Sequence, residues 1–184
     1  RFSVQDALRL TMYVGSILSY VHSCGFIHRD VKPSNVMLHA GRVKLFDFGV
    51  AWPIWDELPP DKSGTPAYLA PEQCRQEILT PAVDIWALGI FLFELLTGEH
   101  PFQKGDYHNY EAPPEVRYPQ LISEPKTLKE AGRRAPEGLQ HIIQRCLKPD
   151  PAERYQSMEE LLLALDPFCR IKIWPAGADK GVAS

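Results

Sequence analysis

The chain has 184 residues, 45% of them hydrophobic and 23% charged, which is room for one soluble domain with a real core at ordinary globular usage. A formal charge of -3 provides no global basic field to recruit nucleic acid or an anionic membrane, so neither partner is expected. Cys24, Cys74, Cys146 and Cys169 are scattered without a CxxC pair, which indicates neither a zinc site nor a disulfide framework and fits a reducing, cytoplasmic setting.

Ser3 can cap a helix with its hydroxyl, and Asp6 stands at the matching capping-box position, where Glu or Gln is usual. Leu10, Val14, Ile17, Leu18 and Val21 recur at helical spacing and predict one apolar stripe on a helix reaching about Ser23. Gly25 can take the left-handed conformation that ends it. His28-Arg29-Asp30-Val31-Lys32-Pro33-Ser34-Asn35 follows, and then two short apolar runs, Val36 to Leu38 and Val43 to Phe46. Around His39-Ala40-Gly41 these read as a hairpin, which leads into Asp47-Phe48-Gly49. The next stretch, to Ser63, holds two tryptophans, three prolines and the acids Asp56, Glu57 and Asp61; with little periodicity it reads as a loop.

Thr80 and Pro81 form a cap and first-turn pair before Ala82 to Leu96, which is almost wholly apolar and closes at Thr97-Gly98. A helix apolar all round belongs in the centre of a domain. Its run from Ile85 to Leu96 is broken by Gly89 and Glu94 and is too short to span a bilayer. Between Gln103 and Arg134, Pro113, Pro114, Pro119 and Pro125 break any long helix. Pro136 opens another, with Leu139, Ile142, Ile143, Cys146 and Leu147 on one side, ended by Pro149-Asp150-Pro151. Ser157 and Glu160 form a capping box for a last helix whose apolar face runs from Leu161 to Leu165. After Phe168 the pattern is lost, and the tail 169-184 stays unassigned.

The chemistry concentrates in 28–35 and 47–49. A carboxylate, an ammonium and an amide within six residues, with a second carboxylate nearby, can hold a metal-bound phosphate and accept a hydroxyl proton. Asp30 is the candidate base. Lys32 would set a compact charge against the moving phosphate, and Asn35 and Asp47 offer the hard oxygens that Mg²⁺ prefers. Singly, His-Arg-Asp is often a surface loop and Asp-Phe-Gly a turn; their order, joined by a hairpin, is poorly explained by chance.

These loops, together with Gly64-Thr65-Pro66-Ala67-Tyr68-Leu69-Ala70-Pro71-Glu72, resemble the catalytic loop, metal-binding loop and activation-segment end of eukaryotic-type serine/threonine protein kinases. The resemblance covers residues 3 to about 168. It implies an α+β, mainly helical fold, the C-terminal lobe of a protein kinase with a small catalytic-loop hairpin, as one domain over 1-168. It further implies ATP with Mg²⁺ (or Mn²⁺) as cofactors, and protein substrates with Ser/Thr acceptors. Asp47 becomes the main metal ligand and Asn35 the holder of a second ion. Thr65 would hydrogen-bond Asp30 and Lys32. His28 would pack beneath Phe48, next to Gly49, and so help place Asp47. Met37 matches the floor of the adenine pocket, with a plain core Met as the alternative. Asp84 would accept backbone N–H groups from the catalytic loop, or serve as a first-turn acid favoured by the helix dipole. Arg154 would pair with Glu72, while His22 and His39 read as ordinary surface or capping residues.

Two departures from the pattern stand out. Arg29 implies a loop ordered by phosphate, yet Ser63 is the only hydroxyl residue between Gly49 and Thr65. Either Ser63 is phosphorylated and pairs with Arg29, or one of Asp56, Glu57 and Asp61 substitutes for the phosphate. No Gly-rich loop, strand Lys or partner Glu precedes Arg1, so the other lobe is expected from the parent chain, and this chain alone is expected to bind ATP-Mg²⁺ weakly without transferring phosphate. A pseudokinase or scaffold lobe is the first alternative, opposed by the presence of Asp30, Lys32, Asn35 and Asp47. The second is a small-molecule kinase of similar fold, opposed by the 65–72 segment and Arg154.

Overall fold

The computed structural model describes residues 1–56 and 63–170; Glu57, Asp61 and the tail from 171 lie outside them. Helix α1 spans Val4–Ser23, with Ser3 accepting from the Asp6 N–H at 3.1 Å and donating to its carboxylate at 2.6 Å. Gly25 follows the C-cap at φ +83°, as its lack of Cβ allows. The buried face of α1 is broader than the expected stripe: Leu8, Thr11, Met12 and Gly15 join Val14 and Leu18, whereas Leu10, Ile17 and Val21 are only half-buried. The reason is that α1 packs against two helices, α3 and α6, and not against one. At Gly15 a Cβ would lie 2.7 Å from the Leu162 side chain, so that glycine sets how closely α1 and α6 approach.

Strand β1, Phe26–Ile27, leads into the loop 28–35, and the hairpin follows as β2, Val36–His39, and β3, Arg42–Leu45. Its register pairs Val36 with Leu45 and His39 with Arg42. The two turn residues Ala40 and Gly41 both have positive φ, 49° and 73°, the geometry whose twist matches that of paired strands. The stretch read as loop contains a fourth strand, β4, Trp52–Pro53, antiparallel to β1. Two residues are too few to show a period.

Helix α2 is a single turn, Pro71–Arg75, and α3, Ala82–Thr97, is the central element: every residue of it but Glu94 is buried. Fully burying side chains such as Trp86, Phe91 and Phe93 stabilises the fold by roughly 1.5–3 kcal/mol each. Helix α4 is another single turn, Pro114–Arg117, in keeping with the flanking prolines. Helices α5, Glu137–Cys146, and α6, Met158–Leu165, complete the bundle around α3 and α1. Ser157 caps α6 as expected, but the Glu160 carboxylate turns to the Gln156 N–H at 2.7 Å and to Arg145 at 2.7 Å, so only half of the capping box forms. Among the described residues no helix is long and apolar enough to cross a membrane.

Candidate active site

The loop 28–35 is held from beneath by Asp84, in the first turn of α3 and wholly buried. Its Oδ2 accepts from the His28 N–H at 2.9 Å and its Oδ1 from the Arg29 N–H at 2.9 Å. A buried carboxylate needs such donors. The third is unexpected: His22, taken for a surface or capping residue, reaches Asp84 Oδ2 with Nε2 at 2.7 Å and is 10% exposed. Arg29 has φ +71°, a conformation costly without glycine, which the Asp84 bond helps to hold. The later segment can cross there because residue 64 is Gly, at φ +115°; a Cβ would fall 2.8 Å from the Arg29 carbonyl oxygen.

Asp30 accepts four hydrogen bonds from three donors. Lys32 Nζ donates to Oδ2 at 2.6 Å, Asn35 Nδ2 to Oδ2 at 2.9 Å, and the Thr65 N–H to Oδ1 at 2.8 Å, while Asn35 Nδ2 also donates to the Asp30 carbonyl at 2.8 Å. Lys32 donates to the Thr65 hydroxyl as well. Burial alone would raise the Asp30 carboxyl, but the hydrogen bonds from Lys32, Thr65 and Asn35 outweigh it and hold the group below the usual carboxylate range. Asp30, Lys32, Asn35 and Thr65 therefore form one connected set.

Asp47 is tied to that set through its neighbours. The Phe46 N–H donates to the Asn35 carbonyl at 2.9 Å, and His28 Nε2 donates to the Phe46 carbonyl at 3.0 Å. Nδ1 of the same ring accepts from the Asp30 N–H at 3.3 Å. Phe48 packs edge-on against His28, with ring centroids 4.6 Å apart. Between these two contacts Asp47 has φ +63° and an exposed side chain, followed by exposed Gly49. Because both donor bonds of the Asn35 amide go to Asp30, its Oδ1 remains as a hard acceptor. That oxygen and the Asp47 carboxylate are a donor set suited to Mg²⁺ carrying phosphate and water.

Met37 lies on β2 opposite Lys44 and is 51% exposed, which corrects the core-Met alternative. Arg29 is buried with its guanidinium carbon 5.7 Å from the Trp52 ring centre, while Ser63 is half-buried and Asp56 exposed. Farther out, Arg154 grips Glu72 with two parallel bonds of 2.7 and 2.8 Å. Gln120 and His100, which pattern reading passed over, and a bond between Tyr68 and Glu94 support the segment after Thr65. Gln120, buried, donates to the carbonyls of Pro66 at 3.0 Å and Leu69 at 3.1 Å. Tyr68 donates to Glu94 at 2.5 Å; burial raises the pKa of both groups. The His100 ring stands edge-on to Tyr68, and burial pushes it below its ordinary value. A polar residue in a proline-rich stretch gives no local signal of bonds to carbonyls some fifty positions away.

Residues 1–164 match the family model described as "Protein kinase domain". Serine/threonine-protein kinase PAK mbt of Drosophila melanogaster is 40% identical over 157 residues, which is 83% of this chain and 23% of that protein. Serine/threonine-protein kinase PrkC of Bacillus subtilis is 32% identical over 161 residues, 85% of this chain and 24% of that one. The chain thus spans about a quarter of the length of these curated relatives. The solved structure of the Cydia pomonella granulovirus kinase PK-1 shares the fold, with a TM-score of 0.73 at 22% identity over 88% of this chain and 58% of that chain.

Proposed function

This chain belongs to the protein kinase domain family, and we propose that its parent protein moves the γ-phosphate of ATP to Ser/Thr hydroxyls of protein substrates, with residues 1–168 as the C-terminal lobe. The observation that carries this reading is the gathering of Asp30, Lys32, Asn35 and Thr65 into one hydrogen-bonded set next to Asp47. Asp30 accepts a hydrogen bond from the substrate hydroxyl and takes its proton as the oxygen–phosphorus bond forms and the bond to ADP breaks. Its depressed pKa makes it a weak base, which suits a loose transition state in which the proton leaves late. Lys32, bonded to Asp30, sets its ammonium beside the phosphoryl oxygens. Asp47 and Asn35 would hold Mg²⁺, which supplies charge neutralisation to the phosphates when bound. Met37, Phe48 and the outer hairpin face would meet the nucleotide and the lobe contributed by the rest of the parent chain. Four scattered cysteines without a CxxC pair suit a reducing compartment, and a cytoplasmic location is part of the proposal.

Asp30→Asn in the full-length protein should lower kcat by at least about 100-fold while the KM for ATP changes little. Unchanged transfer would favour a scaffold, and transfer to small alcohols in place of Ser/Thr peptides would overturn the substrate class.

A further inference from the structure

Beside Thr65 the surface opens into a cleft of about 510 Å³. Gly64 and Pro66, the immediate neighbours of Thr65, line one side; Tyr107, His108, Tyr110, Arg117 and Tyr118 line the other. The two sides are locked together, since Gln120 bonds the Pro66 and Leu69 carbonyls and Tyr118 packs with Leu69 and Cys74. Gly105 lets the 103–118 stretch close on itself: a Cβ there would meet the Arg117 carbonyl oxygen at 2.1 Å.

Arg117 is the residue of interest. Its guanidinium carbon lies 4.8 Å from the Tyr110 ring centre and 5.2 Å from that of Tyr118, and Nη2 donates to the Tyr118 hydroxyl at 3.3 Å. Among the described residues no carboxylate comes within ion-pair distance of it, and its Nε is shielded from solvent without a hydrogen-bond partner. The acids of the same stretch, Asp106, Glu111 and Glu115, are exposed and do not line the cleft. A guanidinium held between rings, with donors unused, is shaped to receive a carboxylate or phosphoryl group through parallel bonds. An extended peptide advances about 3.3 Å per residue, so the side chain that enters belongs to a near neighbour of the acceptor.

We propose that this cleft selects protein substrates bearing an anionic side chain, a carboxylate or a phosphoryl group, within about three residues of the acceptor Ser/Thr. The inference rests on the phosphotransferase reading above. The test is steady-state phosphorylation by the full-length protein of serine peptides identical except for one Asp, phosphoserine, Asn or Lys moved from three residues before the acceptor to three after. At one position the Asp or phosphoserine peptide should exceed the Asn peptide by about 10-fold in kcat/KM, chiefly through KM, and the two arms identify which anion is preferred. Arg117→Ala should bring the Asp and phosphoserine peptides down to the level of the Asn peptide, and Arg117→Glu should shift the preference to Lys. Tyr110→Ala, which deletes a ring 79% exposed, should weaken the preference while sparing the fold. Equal rates for all four side chains, or an equal loss on every peptide in Arg117→Glu, overturns the inference while the phosphotransferase stands. Transfer to no peptide overturns both.

Discussion

Taking the carboxylate from Glu72 would strand the Arg154 guanidinium as a charge sealed from water. The pair is buried on both sides, 0% and 3% side-chain exposure, and losing one member of such a pair costs about 3–5 kcal/mol. Glu72→Gln keeps one acceptor and should fall near about 3 kcal/mol. Arg154→Met is worse, because Arg154 also donates to the carbonyls of Lys148 at 2.7 Å, Ala82 at 3.0 Å and Pro149 at 3.1 Å, and stacks 5.0 Å from the Trp86 ring centre. With Glu72 unpaired and three carbonyls without their donor, the loss should reach about 5 kcal/mol, a large share of a typical total stability of about 5–15 kcal/mol. Combining Glu72→Leu with Arg154→Met removes both charges but still leaves the three carbonyls without their donor. The double variant should therefore regain about 3 kcal/mol over Arg154→Met and remain below wild type. Urea unfolding of the full-length protein, followed by tryptophan fluorescence, reads these differences as midpoint shifts at constant slope. Single-variant losses under about 1 kcal/mol, or additive losses in the double variant, would refute the reasoning.

The loop support can be tested in the same protein. Asp84→Asn replaces an acceptor of two backbone N–H groups and His22 by a group that is half donor, and should cost about 2–3 kcal/mol together with most of the transfer activity; circular dichroism melts and initial rates check both. His100 offers a pH test. Its folded pKa lies below the ordinary value of about 6.5 because burial disfavours the charged ring, with backbone hydrogen bonds at Phe102 and Ala67 opposing in part. The unfolded chain therefore binds the proton more readily, and this contribution is full above about pH 6.5 and lost as pH falls through the folded pKa. His100→Gln should shrink the drop in Tm between pH 7.5 and 5.5; identical drops in both proteins would discount His100 as its source.

What could be read from local order was what local physics controls. Helical spacing located α1 and α5, a capping box with an apolar run located α6, and an almost unbroken apolar run between cap signals located α3, whose every residue but Glu94 is buried. Two apolar runs around His39-Ala40-Gly41 placed the hairpin, and the structure narrows the turn to Ala40-Gly41, with His39 in β2 paired to Arg42. The candidate chemistry of Asp30, Lys32, Asn35 and Asp47 rests on residue type and on the family resemblance, which also supplied the expected partners of Asp84, Glu72 and Thr65. Tertiary structure decided the rest. β4 exists only because β1 offers its free edge, and α1 buries a wider arc because two helices press on it. His22 and Gln120 are functional supports because burial beside Asp84 and beside the Pro66 carbonyl leaves no water to do their work. Arg117 is an open cation for the same reason: its ring neighbours and its distance from every described carboxylate are facts of packing. A side chain's type sets which bonds it can make, and the fold, by excluding water and choosing its neighbours, sets which of them it does make.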